Sequence, residues 1–164
     1  MNITIFEGPD GSGKSTAAKA YAQAIGARLV HCGPYPQLSA GLKHVYLQAM
    51  VPALLDYDHV VLDRCWISEP IYGAIFRNGE DRIGRLGCEL LDGIAALCGG
   101  RVIVCLPPLE TCLDNWRRRH AQGGEYLERE AQLIDVWQLY SDGVAQRGLT
   151  TLPVTTFDYT KEQL

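Results

Sequence analysis

One short stretch constrains this chain more than any other. An apolar run, Ile3-Thr4-Ile5-Phe6-Glu7, leads directly into Gly8-Pro9-Asp10-Gly11-Ser12-Gly13-Lys14-Ser15, and a helix-forming run begins at Lys14. The spacing is G-x-x-x-x-G-K-[ST] in the strand-to-helix setting that the motif requires. Glycines let backbone N–H groups converge on phosphate oxygens, and the helix N-terminus adds its partial positive charge. Gly8, Pro9, Asp10, Gly11, Ser12, Gly13, Lys14, Ser15 and Thr16 are therefore candidate phosphate-loop residues. Lys14 would reach the β and γ phosphates of a nucleoside triphosphate, and Ser15 would hold Mg²⁺. The loop alone leaves a GTPase, a motor or assembly ATPase and a small-molecule kinase open. Asp10 is its odd member, because a carboxylate inside a polyphosphate cradle repels the ligand.

A strand–loop–helix opening of this kind belongs to α/β folds, and the rest of the chain agrees. Apolar, β-branched runs recur at residues 3–6, 27–30, 59–63, 101–106 and 150–157. Between them lie stretches that fit helices at 14–25, 38–55, 68–76, 81–97, 109–120 and 127–147, with Pro52 expected to kink or shorten the second. The run Val102 to Leu106 is apolar throughout, as in a strand buried on both faces of a parallel sheet. The expectation is one domain over 1–164, a five-stranded parallel sheet flanked by helices, with a short lid near 117–129.

Composition narrows the function. The net charge of -4 disfavours stable nucleic-acid binding, which needs excess Lys and Arg to displace counterions. No apolar run approaches the roughly 20 residues of a membrane span, and the first residues lack a secretory leader's basic and apolar regions, so the expected location is the cytoplasm. The six cysteines form no CxxC pair and read as reduced, apolar thiols. The four histidines show no ligand spacing, so a metal site built from protein ligands alone is not expected.

A second motif follows the third apolar run: Asp63-Arg64-Cys65-Trp66-Ile67-Ser68, with Tyr72 beyond it. It lies where a strand ends at the ligand edge of an open sheet. Arginine follows the aspartate where a motor would carry a water-activating glutamate, and no Asn-Lys-x-Asp guanine-reading element is present. An arginine here suits a second anionic substrate. Together the two motifs resemble the thymidylate kinases, within the P-loop nucleoside monophosphate kinases. Glu7, Gly8, Asp10, Gly11, Gly13, Lys14 and Ser15 match that family's E-G-x-D-G-x-G-K-[ST], and Asp63, Arg64, Ser68 and Tyr72 match the spacing of D-R-Y-x-x-S-x-x-A-Y-Q.

The resemblance implies ATP and Mg²⁺ as cofactors, with Ser15 and Asp63 at the metal, and a deoxynucleoside 5′-monophosphate, dTMP or a related pyrimidine nucleotide, as acceptor. Asp10 would accept a hydrogen bond from the acceptor's 3′-hydroxyl, Arg64 would grip its phosphate, and Tyr72 would pack against C2′. Tyr35 and Ser68 complete the implied substrate contacts. Lys14, Arg64 and two lid arginines, Arg117 and Arg119, are the implied catalytic set, closing over ATP to neutralise the transferred phosphoryl group. Cys65, Ile71 and Gly73 replace the family's Tyr, Ala and Gln, and Leu42, with Lys43 beside it, stands near the family's base-reading arginine. The short length resembles compact phage-encoded deoxynucleotide kinases, which would place the protein in the host cytoplasm. The family is often dimeric, so a homodimer is implied. Two alternatives stand beside this reading: a kinase of a hydroxyl on a nucleoside or on a modified base in DNA, and a nucleotide-dependent switch or assembly ATPase.

Overall fold

The computed structural model describes residues 1–33, 41–123 and 127–162. Eleven elements follow one another as β1 (Asn2–Glu7), α1 (Lys14–Ala24), β2 (Arg28–His31), α2 (Leu42–Asp56), β3 (His59–Asp63), α3 (Ser68–Phe76), α4 (Gly84–Leu97), β4 (Arg101–Cys105), α5 (Leu109–His120), α6 (Glu130–Ser141) and β5 (Val154–Phe157). The strands form one parallel sheet in the order β2-β3-β1-β4-β5. Parallel neighbours need crossover connections, and the helices supply them.

The strand sequences explain the layering. Period-two alternation sends Phe6, Val61, Ile103, Cys105 and Phe157 to one face, where they pack with Ala18 and Ala22 of α1. Ile3, Ile5, Val60, Leu62, Val102 and Val104 face the other way, onto buried residues of α2 to α6 such as Met50, Ile71, Leu91, Trp116 and Val136. Both faces are covered, which is why the strands read as continuous apolar runs.

Register aligns the ends that matter. Phe6 pairs with Asp63, and His31 pairs with Asp63 on its other side. The loops after β1, β2 and β3 therefore leave the sheet together at its C-terminal edge, the ligand edge of such folds.

Several boundaries differ from the sequence expectation. Helix α2 runs through Pro52. Both Pro52 and Gln48, whose carbonyl loses its helical partner, are exposed, so the break in the ladder faces outward. Helix α4 starts at Gly84 because the Asp81 carboxylate holds the Ile83 N–H at 3.0 Å. Helix α6 starts at Glu130, where Gln132 accepts from the N–H groups of Glu128 and Arg129 at 3.1 and 3.0 Å. Leu127 lies ahead of it as a buried anchor. The last strand begins at Val154, because Thr150 and Thr151 turn their hydroxyls to Asp92 of α4. No helix of the described residues is long and apolar enough to cross a membrane.

Candidate functional site

The phosphate loop turns off β1 against the ends of β4 and α5. A Cβ on Gly8 would lie 2.3 Å from the Cys105 carbonyl oxygen, and one on Gly11 would lie 2.3 Å from that of Cys112. Both positions also have positive φ, 144° and 76°, so glycine is required there on two counts. Lys14 opens α1 and folds its ammonium back over the loop, 3.1 Å from the Pro9 carbonyl and 3.7 Å from Asp10. Burial first, and then the Arg64 charge, pull the Lys14 pKa below its ordinary value. A buried cation held this way gains from an anionic ligand. The Ser12 hydroxyl, fully buried in the same loop, has no hydrogen-bond partner among the described residues.

Beside the loop, the Ser15 hydroxyl donates to Asp63 Oδ1 at 3.1 Å. Asp63 Oδ2 lies 2.8 Å from Nδ1 of His31, the residue that strand register sets opposite it. The described residues contain no cluster of three or more His, Cys, Asp or Glu able to hold a metal. A hydroxyl and a carboxylate at a phosphate loop nevertheless suit Mg²⁺, which takes one or two protein oxygens together with substrate phosphates and water.

The two sequence motifs meet at Asp10. One of its oxygens is paired with the Arg64 guanidinium, and the other accepts the Tyr72 hydroxyl at 2.9 Å. The guanidinium also lies over the Tyr72 ring, 5.2 Å from its centre. Arg64 adopts this position from a left-handed backbone, φ 70°, and its N–H donates to the Phe6 carbonyl at 2.9 Å. A non-glycine residue there stores about 1–3 kcal/mol of strain, a mark of functional sites. Burial by itself would raise the Asp10 carboxyl, but Arg64, Lys14 and the Tyr72 hydroxyl outweigh it and hold the group below the usual carboxylate range. The Tyr72 hydroxyl is pushed up by burial, which keeps it a neutral donor.

Ser68 points elsewhere. Its hydroxyl is 2.9 Å from Glu7 Oε1, in a buried cluster where Glu7 also accepts from the Cys65 N–H at 2.7 Å and the Tyr140 hydroxyl at 2.7 Å. Glu7 thus ties β1, the start of α3 and α6 together beneath the site, and Ser68 belongs to that support. Leu42, near the position that the resemblance gives to a base-reading arginine, is fully buried in the core. Tyr35 lies outside the described residues.

A cavity of about 860 Å³ opens on the other side of the loop, lined by Gly11, Gly13, Thr16, Asn115, Arg118, Arg119 and Tyr159 among others. Asn115 donates to the Gly11 carbonyl at 2.8 Å, fastening α5 to the loop, and also to Tyr159 at 2.9 Å. Arg119 lines this cavity and adds to the positive field at Asp10. Arg117 does not line it. Its guanidinium faces solvent and is held by Glu130 at 2.7 Å and Asp114 at 3.2 Å. Consecutive helical residues point about 100° apart, and with Trp116 committed to the core the cavity receives Arg118 and Arg119 instead. His31, Asn115, Arg118 and Tyr159 are site neighbours that the sequence motifs do not single out.

No protein-family profile matches the chain, and no curated protein matches its sequence. Solved structures do match. The YorR protein of Bacillus subtilis, solved in complex with phosphorylated GDP, is 19% identical with a TM-score of 0.70, over 96% of this chain and 85% of that one. Deoxyadenosine kinase from M. mycoides, solved with dATP, is 16% identical with a TM-score of 0.61, over 100% of this chain and 93% of that one. This chain has the P-loop kinase fold. At these identities the likeness extends to the fold, and the chemistry of the site rests on its own residues.

Proposed function

We propose that the protein is an ATP- and Mg²⁺-dependent deoxynucleoside monophosphate kinase that moves the γ-phosphoryl group of ATP onto the 5′-phosphate of dTMP or a related pyrimidine nucleotide. The observation that carries this reading is the Asp10–Arg64–Tyr72 cluster set against the phosphate loop. A loop, a lysine and an Asp63–Ser15 pair serve any P-loop protein. A strained arginine beside an ionised carboxylate and a tyrosine equips this one for a second ligand that carries both an anionic group and a hydroxyl.

In the reaction an oxygen of the acceptor 5′-phosphate attacks the γ-phosphorus, and the bond to the β–γ bridging oxygen breaks, its electron pair leaving with ADP. The acceptor is already nucleophilic, so no protein base is needed, and positioning with charge neutralisation supplies the rate. Lys14 and the loop N–H groups hold the β and γ phosphates. Ser15 and Asp63 would hold Mg²⁺, whose charge would offset that of the phosphates. Arg64 leaves Asp10 for the acceptor phosphate, freeing an Asp10 oxygen for the sugar hydroxyl. Arg119, on the cavity wall, supplies positive charge to the transferred group. The donor base occupies the cavity beside Tyr159 and Asn115.

The fold shared with a deoxyadenosine kinase supports a second reading, in which a nucleoside hydroxyl is the acceptor. Arg64 favours the monophosphate, since a neutral nucleoside leaves a desolvated guanidinium with nothing new to bind. A panel of nucleosides and of ribo- and deoxynucleoside monophosphates, each with Mg-ATP, separates the two. ADP formation that requires a deoxynucleoside monophosphate supports the proposal, and equal or greater turnover with nucleosides replaces it by the second reading.

A further inference from the structure

Arg64 is held at both ends, and the two holds differ in kind. At the tip, its guanidinium is paired with an Asp10 oxygen and lies over the Tyr72 ring. The Asp10 contact is the one that the proposed reaction exchanges. At the backbone, the peptides on either side of its Cα are both fastened. The N–H of Arg64 donates to the Phe6 carbonyl at 2.9 Å, and the N–H of Cys65 donates to Glu7 Oε1 at 2.7 Å. Peptides are planar, so fixing both planes leaves the two backbone dihedrals between them little freedom. The φ that results at Arg64 is 70°, a value that a side chain other than glycine's disfavours.

Glu7 is the unusual part of that second hold. It ends β1 with its side chain fully buried. A buried carboxyl group is costly unless donors surround it, and here three do: the Cys65 N–H, the Ser68 hydroxyl at 2.9 Å and the Tyr140 hydroxyl at 2.7 Å. They serve different ends. Ser68 also lies 3.0 Å from the Cys65 carbonyl, so its hydroxyl has a second acceptor within reach. Tyr140 fastens α6. Of the three bonds, only that to Cys65 acts on the peptide beside Arg64.

We propose that Glu7 is a positioning residue for the acceptor site: its carboxyl group locks the 64–65 peptide, keeps Arg64 in the strained left-handed region, and so presents the guanidinium to the acceptor phosphate before that ligand arrives. Strain of this kind persists only where the surroundings enforce it. With the Cys65 N–H released, the peptide turns and Arg64 relaxes. The acceptor then has to draw the guanidinium back, and its apparent affinity falls by the fraction of molecules still in the competent conformation. When the acceptor takes the guanidinium from Asp10, the backbone hold remains, which keeps the arginine in place through the exchange. The inference rests on the proposed function for the identity of the ligand, and on backbone geometry for what Glu7 does to Arg64.

Variants of the full chain separate positioning from support. Tyr140→Phe cuts the tie to α6 and leaves the Cys65 bond in place. Glu7→Gln keeps a carbonyl oxygen for the Cys65 N–H. Glu7→Met combined with Tyr140→Phe takes the acceptor from the Cys65 N–H while nearly conserving volume and stranding no tyrosine hydroxyl. In that double variant KM for the deoxynucleoside monophosphate should rise roughly 5- to 150-fold, the range that stored backbone strain corresponds to, with KM for ATP unchanged. Tyr140→Phe and Glu7→Gln should keep both wild-type KM values. Backbone NMR shifts and couplings at Arg64 should report a positive φ in the wild type and the two single variants and a negative φ in the double variant, a readout that needs no turnover. If no monophosphate is a substrate of the wild type, the proposed function fails, and the φ of Arg64 still decides the role of Glu7. Should the double variant fail to fold, Glu7→Asp takes its place, because the shorter side chain withdraws the carboxyl group from the Cys65 N–H. A positive φ at Arg64 retained without the Glu7 bond, or KM for ATP and for the monophosphate rising together, overturns the inference.

Discussion

At the scale of single residues, Asp10 is where the proposed acceptor site is most directly tested. Its two oxygens are engaged by Arg64 and Tyr72, and it remains ionised against burial, so it is poised to exchange one partner for a hydroxyl. Asp10→Ala should therefore impair a 2′-deoxynucleotide much more than its 3′-deoxy analogue, and kcat/KM for the two acceptors should converge; equal losses on both would assign Asp10 to the loop or the metal. Arg64→Ala should raise KM for the monophosphate by the worth of a charge-assisted contact, about 1.5–3 kcal/mol or roughly 10- to 150-fold. A large loss of ATP affinity with an unchanged monophosphate KM would reverse the two sites. The four thiols of Cys32, Cys88, Cys105 and Cys112 make a third statement, because burial pushes each from 9.0 up to about 12. They should resist alkylation at pH 8 until the chain unfolds. Raised folded pKa values mean that their contribution to stability is complete below pH 9 and is lost between about pH 9 and 12, as the unfolded chain releases protons that the folded one keeps. Urea titrations at pH 8 and pH 10 check the sign: the midpoint should fall at the higher pH.

At the scale of elements, the sequence was readable wherever a local pattern carried the information. Strand, phosphate loop and helix from Asn2 to Ala24 follow from composition and spacing alone, and α3 and α5 begin and end where helix patterning places them. What required the third dimension was register and phase. That His31 meets Asp63 depends on how β2 aligns with β3, which residues 28–31 do not specify by themselves. Assigning Arg117 to the site overlooked the helical phase fixed by Trp116, a signal present in the apolar positions of α5. Ser68 matched a motif spacing, yet the buried Glu7 claims its hydroxyl. Gly73, which departs from the resembled family's glutamine, has a packing reason: the chain after α3 folds back so that a Cβ there would sit 2.3 Å from the Glu80 carbonyl oxygen. Gly73→Ala should displace that turn and lower stability by about 1–3 kcal/mol, read as a shift in denaturant midpoint. An unchanged midpoint would mean that the turn relaxes freely.

At the scale of the whole molecule, a parallel sheet brings three loop ends to one edge, and each contributes a different part of the chemistry. The loop after β1 brings the backbone N–H groups of the phosphate-loop motif and Lys14, the end of β2 brings His31, and the end of β3 brings Asp63 and Arg64. Helix α5 closes the cavity side of the loop through Asn115 and Arg119, while Glu7 and Tyr140 connect the floor of the site to α6. The proposed function joins a triphosphate donor to an anionic acceptor across the phosphate loop, and the destination of the phosphoryl group is its signature. Phosphorus NMR of the protein with Mg-ATP and dTMP or a related deoxynucleoside monophosphate reads that destination directly. A β-phosphate resonance of the deoxynucleoside diphosphate, growing as the acceptor monophosphate declines and ADP appears, is the expected result. Inorganic phosphate appearing with ADP while the acceptor monophosphate stays unchanged, or ATP left intact beside every monophosphate, would contradict it.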